Sequence, residues 1–342
     1  EFDGQVGDLG ALHPFRRLDA QGEPAQVGIT SFEEWVHCGL LFFVTRVLGA
    51  RTDDTDPSEI TDIEPLEKGT LIHSVFERLI GEWIAAHPDA DVPWVASPDD
   101  IEAQAQRAEE LLDELAAPLL AAHRLGHPEM WRARRSQILR AVRHGLQLEL
   151  EDPVVPLAVE FAFGRRSDGA ELPAVFASAD GEHVVHFSGA IDRIDRLPDG
   201  SLRVMDLKSG LATPYRGITS LTPLGPKNDR LQLAFYGWAV QQLRDRPVTG
   251  SVYRFVGRPD VQTDITLQLT PEVHEQLHAR LAEIAAGIHQ GHFVPGEVTG
   301  LFGCPVCAPD GLGTFEINQR LIEWSGELDD GALADDGVVE LT

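Results

Sequence analysis

Lysine is almost missing from this chain. Of its 28 basic residues only Lys68, Lys208 and Lys227 are lysine, and arginine cannot stand in for them in proton work, because a guanidinium does not deprotonate in proteins. Positive charge as a whole is short: 28 lysines and arginines face 55 aspartates and glutamates, a net charge of −27 over 342 residues. That balance excludes a surface attractive to nucleic-acid phosphates all round and requires any such surface to be local. Cysteine is scarce and odd in number, Cys38, Cys304 and Cys307, which argues against a secreted disulfide scaffold. No apolar run reaches the roughly 18 residues of a membrane span, and no charged leader precedes an apolar stretch. The expected compartment is therefore the cytoplasm. No Gly-x-x-x-x-Gly-Lys-Ser/Thr phosphate loop occurs, so an ATP-driven motor is expected outside this chain. The chain opens at Glu1 without a methionine, as expected of a piece cut from a longer polypeptide.

What is present is enough apolar residue to bury a sizeable core and a readable succession of elements. Helical periodicity covers 31–48, 66–87, 99–122 and 127–150, the first with Thr30 or Ser31 as expected N-cap and Glu34 downstream. Strands are expected over 156–164, 184–197 and 202–207, the last two joined by the turn Pro198-Asp199-Gly200-Ser201. A helix over 229–243, strands over 252–256 and 263–269 and a helix over 271–289 follow. This order predicts an α/β fold with a central mixed sheet flanked by helices, after a helical N-terminal region. The expected divisions are a lead-in at 1–30, a helical region at 31–150 carrying Cys38 and His73, a core at 151–325, and an acidic tail at 326–342 that reads as solvated or disordered.

The chemistry concentrates between Gly189 and Gly210. Side chains alternate along a strand, so Asp206 and Lys208 share a face while Leu207 turns to the core. Asp192, on the partner strand, reaches the same end. Two carboxylates held together repel unless a cation sits between them, and hard oxygen ligands select Mg²⁺ or Mn²⁺. An ordinary charged surface hairpin is the competing reading, and the scarcity of lysine weighs against it.

These residues carry a resemblance. Gly189-Ala-Ile-Asp192-Arg-Ile-Asp, Asp206-Leu-Lys208-Ser-Gly and Gln232-Leu-Ala-Phe-Tyr236, in that order, resemble the motifs of the PD-(D/E)xK nuclease superfamily in its RecB/AddB-like branch. Gly69-Thr-Leu-Ile-His73-Ser-Val-Phe-Glu77 is similar to that branch's Gly-x-x-x-His helix. The resemblance implies a restriction-endonuclease-like core that hydrolyses DNA with Mg²⁺ or Mn²⁺. His73, Asp192, Asp206 and the Leu207 carbonyl are the implied ligands, with Glu160 a further candidate. Lys208 is expected to orient or deprotonate the attacking water. Gln232 and Tyr236 are expected to hold the lysine and the DNA backbone, a packing role for Tyr236 standing equally open.

Both ends of the chain extend the likeness. The segment Thr30 to Val44, with Cys38, resembles the helix bearing the first cysteine of the iron–sulfur staple in AddB-type nucleases, and Cys304-Pro-Val-Cys307 resembles its C-terminal part. That family pattern has four cysteines, and Gly313 stands about where the fourth belongs. A [4Fe–4S] cluster, oxygen ligation by Asp310, zinc with His37 as a fourth ligand, and packing without metal all stay open. Arg132, Arg134, Arg135, Arg140 and Arg143 form a basic helical cluster, read either as a solvated face or as DNA contact. Arg193 and Arg196, with Arg216, Lys227 and Arg230, flank the site and are expected to touch DNA. The expected function is the nuclease domain of a helicase–nuclease in DNA repair and recombination, with a helicase domain or subunit as partner. A non-catalytic DNA-end or partner-binding module on the same fold is the alternative.

Overall fold

The helix expected over 31–48 is broken at Cys38. It is replaced by α1 (Ile29–His37), α2 (Gly39–Phe42) and a π-helical turn over Phe43–Val47. Cys38 is extended between them, and its Sγ accepts a hydrogen bond from the Leu41 N–H at 3.4 Å, capping α2. Helix α1 starts at Ile29, so neither Thr30 nor Ser31 is its N-cap. The structure, a computed structural model, describes residues 4–16, 25–50, 61–164, 174–212, 215, 230–258 and 264–296.

Prolines open the three long helices α3 (Pro65–Ala86), α4 (Pro98–Ala121) and α5 (Pro128–Glu151). In the first turn the ring supplies helical φ, and its missing N–H costs nothing. Ser97 and Asp100 add a reciprocal capping box to α4. The three helices share one apolar core that includes Leu71, Val75, Phe76, Leu111, Leu112, Ile138 and Val142. Helices α3 and α5 approach closely because position 145 is glycine: a Cβ there would lie 2.4 Å from the Phe76 ring.

Strand β1 (Val155–Phe163) starts the main sheet. Strands β2 (Val175–Ala177) and β3 (Val184–His186) pair only with each other, and β4 (Gly189–Arg196) and β5 (Leu202–Lys208) return to the main sheet. The single strand expected over 184–197 is thus two strands in different sheets, and β2 was not expected. Gly200, at φ +86°, takes the left-handed position in the β4–β5 turn. Helix α6 (Gln232–Leu243) carries the chain over to β6 (Val248–Phe255), followed by β7 (Asp264–Gln268) and α7 (Pro271–His289). The order is β1-β4-β5-β6-β7, antiparallel throughout except for the parallel β5–β6 pair. It is a mixed sheet with α3 packed near β1 and α6 on β5 and β6.

The described residues fall into two compact units. One holds 4–16, 25, 30–50 and 281–296; the other holds 26–29 and the described part of 61–280, with the whole main sheet. The segments 297–342, with the expected acidic tail, lie outside the described residues. Among the described residues no helix is long and apolar enough to cross a membrane.

Arginine is used inside this fold. Glu149 of α5 receives Arg193 of β4 at 3.0 Å and Arg254 of β6 at 2.6 Å, and all three are buried. Asp195 pairs with Arg193 at 2.7 Å, and Asp152 and Asp264 accept further hydrogen bonds from Arg254. The network ties α5 to three strands of the sheet.

Candidate active site

The β4–β5 ladder ends at the Arg193/Met205 rung, and the strands separate beyond it. There the Asp192 carboxylate takes over as acceptor, its Oδ2 receiving the Leu207 N–H at 2.7 Å. N–H and C=O of one strand residue face the same edge, so the Leu207 carbonyl is turned to the Asp192 side. His73, from α3, brings Nδ1 to 3.4 Å from Asp192 Oδ2. Asp206 is buried, and its Oδ2 lies 2.6 Å from Lys208 Nζ two residues on, as strand alternation requires. Lys208 also donates to Gln232 Oε1 at 3.3 Å, and Gln232 Nε2 donates to the Tyr236 hydroxyl at 3.4 Å, one turn along α6. His73, Asp192, Asp206, Leu207, Lys208, Gln232 and Tyr236 thus converge on one end of the sheet.

Burial and neighbouring charge set the protonation here. Burial drives the Asp206 carboxyl up to about 6, with Asp192 adding to the rise and Lys208 opposing it. Glu160 moves up as well, through partial desolvation at the cavity mouth and the charges of Asp192 and Glu77. For His73, burial pushes the imidazole down, but the hydrogen bond and charge of Asp192 outweigh it and the net shift is upward. Lys208 likewise moves up, Asp206 overcoming the effect of burial. It is an ammonium at neutral pH.

An imidazole, two carboxylates and a main-chain carbonyl make a hard donor set that suits Mg²⁺ or Mn²⁺. Burial and, after it, the Asp192 carboxylate raise Asp206, and a bound cation would favour its charged form. The side chains are closed on one another, Lys208 filling one Asp206 oxygen. Among the described residues no three His, Cys, Asp or Glu side chains are gathered closely enough to hold an ion unaided. Glu160 stands at the margin: it is exposed, at φ +46°, and lines a small cavity with His73, Glu77 and Asp192.

Several expected contacts fall elsewhere. Arg193 does not face DNA; it is 3% exposed and spent on Glu149 and Asp195. Arg196 is paired with Asp91 at 2.5 Å. Four of the five arginines of the basic cluster on α5 are paired with acids: Arg132 with Glu129, Arg134 with Asp62, Arg135 with Asp113 and Arg143 with Glu102. Arg230 lies with its guanidinium 4.8 Å from the Tyr215 ring centre. Arg216, Lys227, Cys304, Cys307, Asp310 and Gly313 lie outside the described residues, and Cys38 is buried.

Two features escaped the sequence reading. Glu149 and Arg254 were passed over because their partners are 44 and 105 residues away. Tyr253, one of only three tyrosines, falls within the strand expected over 252–256 and carries no local signal of its own. Its register partner across β5–β6 is Asp206.

The model of the PD-(D/E)XK nuclease superfamily matches residues 26–310. Over 230 residues, 64% of the chain, the sequence is 26% identical to a subunit of the ATP-dependent helicase/deoxyribonuclease of Acetivibrio thermocellus. The chain spans 17% of the length of that relative. A match that runs through all the converging residues and over most of the chain makes it a member of the PD-(D/E)XK nuclease superfamily.

Proposed function

We propose that this chain is a divalent-metal-dependent deoxyribonuclease, the nuclease domain of an AddB-like helicase–nuclease that processes linear DNA ends in repair and recombination. The observation that carries the reading is the joined pair Asp192–His73 and Asp206–Lys208 at the open end of β4 and β5. His73, Asp192, Asp206 and the Leu207 carbonyl would hold one Mg²⁺ or Mn²⁺. That ion supplies Lewis-acid polarisation of the scissile phosphate and eases deprotonation of the attacking water. Lys208, held protonated by Asp206, orients the water and offsets phosphate charge; an upward-shifted lysine is a poor base. Gln232 fixes the lysine, and the burial of Asp206 keeps bulk water from competing for it. Arg216, Lys227 and Arg230 are the proposed DNA contacts, and Glu160 is a proposed outer ligand. Cys38, Cys304 and Cys307 are proposed as ligands of a structural metal, a [4Fe–4S] cluster or zinc, to be identified by metal analysis of the purified chain.

The test is cleavage of end-labelled linear DNA with Mg²⁺, Mn²⁺ or EDTA, with Lys208→Ala in parallel. Metal-dependent cutting that falls about 100-fold or more in the variant is expected. DNA bound but uncut under every metal would favour the non-catalytic module instead.

A further inference from the structure

Every tyrosine of this chain meets the catalytic lysine or the glutamine that holds it. There are three, Tyr215, Tyr236 and Tyr253. Tyr253 is fully buried in β6, beside Asp206 in register, with its ring centre 4.8 Å from Lys208 Nζ. Its hydroxyl donates to Gln232 Oε1 at 3.2 Å, the same oxygen that accepts from Lys208 at 3.3 Å. The Tyr215 ring packs edge-on against Tyr253 at 4.9 Å, with its own centre 5.7 Å from Lys208 Nζ.

The polarity of this cluster is forced. An ammonium only donates, so the glutamine must present its carbonyl oxygen to Lys208. Its NH₂ group then faces Tyr236, whose hydroxyl accepts. Lys208 alone sets the orientation of the amide, because a hydroxyl can also accept; a second donor to the same oxygen fixes the amide's position. Tyr253 is that donor. Its ring face adds an attraction to the cation at a distance within the roughly 6 Å over which such contacts act. A lysine has a long stem with about 2 kcal/mol of rotamer entropy, so holding its head in one place takes more than the Asp206 charge.

We infer that Tyr253 is a positioning residue of the nuclease site, fixing the Gln232 amide and through it the Lys208 ammonium. The inference rests on the nuclease reading, and its test has one arm that does not. In that arm the three lysines are acetylated under limiting reagent and read by mass spectrometry, with Lys68, hydrogen-bonded to Gln137 elsewhere on the fold, as internal reference. Tyr253→Phe keeps the ring and loses the hydroxyl. It is expected to raise Lys208 labelling relative to Lys68 by about threefold or more, with an unchanged melting curve. In the second arm, Tyr253→Phe lowers kcat about tenfold with KM within about twofold, and adding it to Gln232→Ala costs nothing further. An unchanged Lys208:Lys68 ratio overturns the inference, as do losses that multiply in the double variant, which would mean Tyr253 acts independently of Gln232. A wild-type chain that cuts no DNA sinks the nuclease reading alone, because the labelling ratio still decides what Tyr253 does.

Discussion

At the scale of single residues, the site is a set of charges that need one another. Asp206 is buried with its carboxyl near 6, and Lys208 is half-buried with its ammonium favoured. Each makes the other tolerable in a place where an isolated charge costs several kcal/mol. Asp206→Ala removes a proposed ligand and the partner of Lys208 together, and is expected to abolish cleavage while DNA affinity, measured by fluorescence anisotropy, stays within about twofold. Cleavage at the wild-type rate would move the chemistry elsewhere. Much of this was legible beforehand because it is local: Asp206 and Lys208 sit two apart on a strand, and Gln232 and Tyr236 one turn apart on a helix. Arg193 was misread for the opposite reason. It follows Asp192 and so points to the other face, where its partner Glu149 comes from a helix 44 residues earlier. A one-dimensional pattern cannot hold that distance.

Elements are positioned by two devices, one polar and one steric. The polar one is Glu149, whose carboxyl sits at about 2 because Arg193 and Arg254 overcome its complete burial. A folded value below the ordinary 4.5 means that the group stabilises the fold above about pH 4.5 and loses that contribution as pH falls toward 2. Asp195, raised by burial, works with the opposite sign. Glu149→Gln is therefore expected to cost on the order of 3 kcal/mol at pH 7, and less than half of that at pH 3, by urea unfolding at both values. An equal cost at both would assign the loss to packing. The steric device is Gly145. Alanine is the better helix former by about 1 kcal/mol, yet Gly145→Ala is expected to destabilise by about 1–3 kcal/mol, because its Cβ meets the Phe76 ring of the helix that carries His73. A raised melting temperature would refute that. Helix α7 was readable from end to end, since its periodicity is uninterrupted. The break at Cys38 and the parting of β3 from β4 were not: Gly39 and Gly189 stand at the two points, but a single glycine inside an otherwise periodic segment does not by itself mark a boundary.

For the molecule as a whole, a charge of −27 has to coexist with the polyanionic substrate proposed above. The structure narrows where contact can occur by removing candidates. Arg193 is interior, and four of the five α5 arginines, Arg132, Arg134, Arg135 and Arg143, each face an acid, which offsets most of the charge of that cluster. Phosphate binding gains from releasing counterions condensed on DNA, and an arginine already neutralised by a neighbouring carboxylate adds little to that release. Arg135→Ala combined with Arg143→Ala is accordingly expected to leave DNA affinity within about twofold and the slope of log K against log salt unchanged, each by titration between about 50 and 200 mM salt. Arg230→Ala, beside the Lys208 cluster, is expected to weaken binding and to lower that slope by about one. A fall in slope with the α5 pair instead would show that DNA displaces Asp113 and Glu102 from their arginines, and would move the DNA path from the open end of β4 and β5 to the outer face of the helical layer.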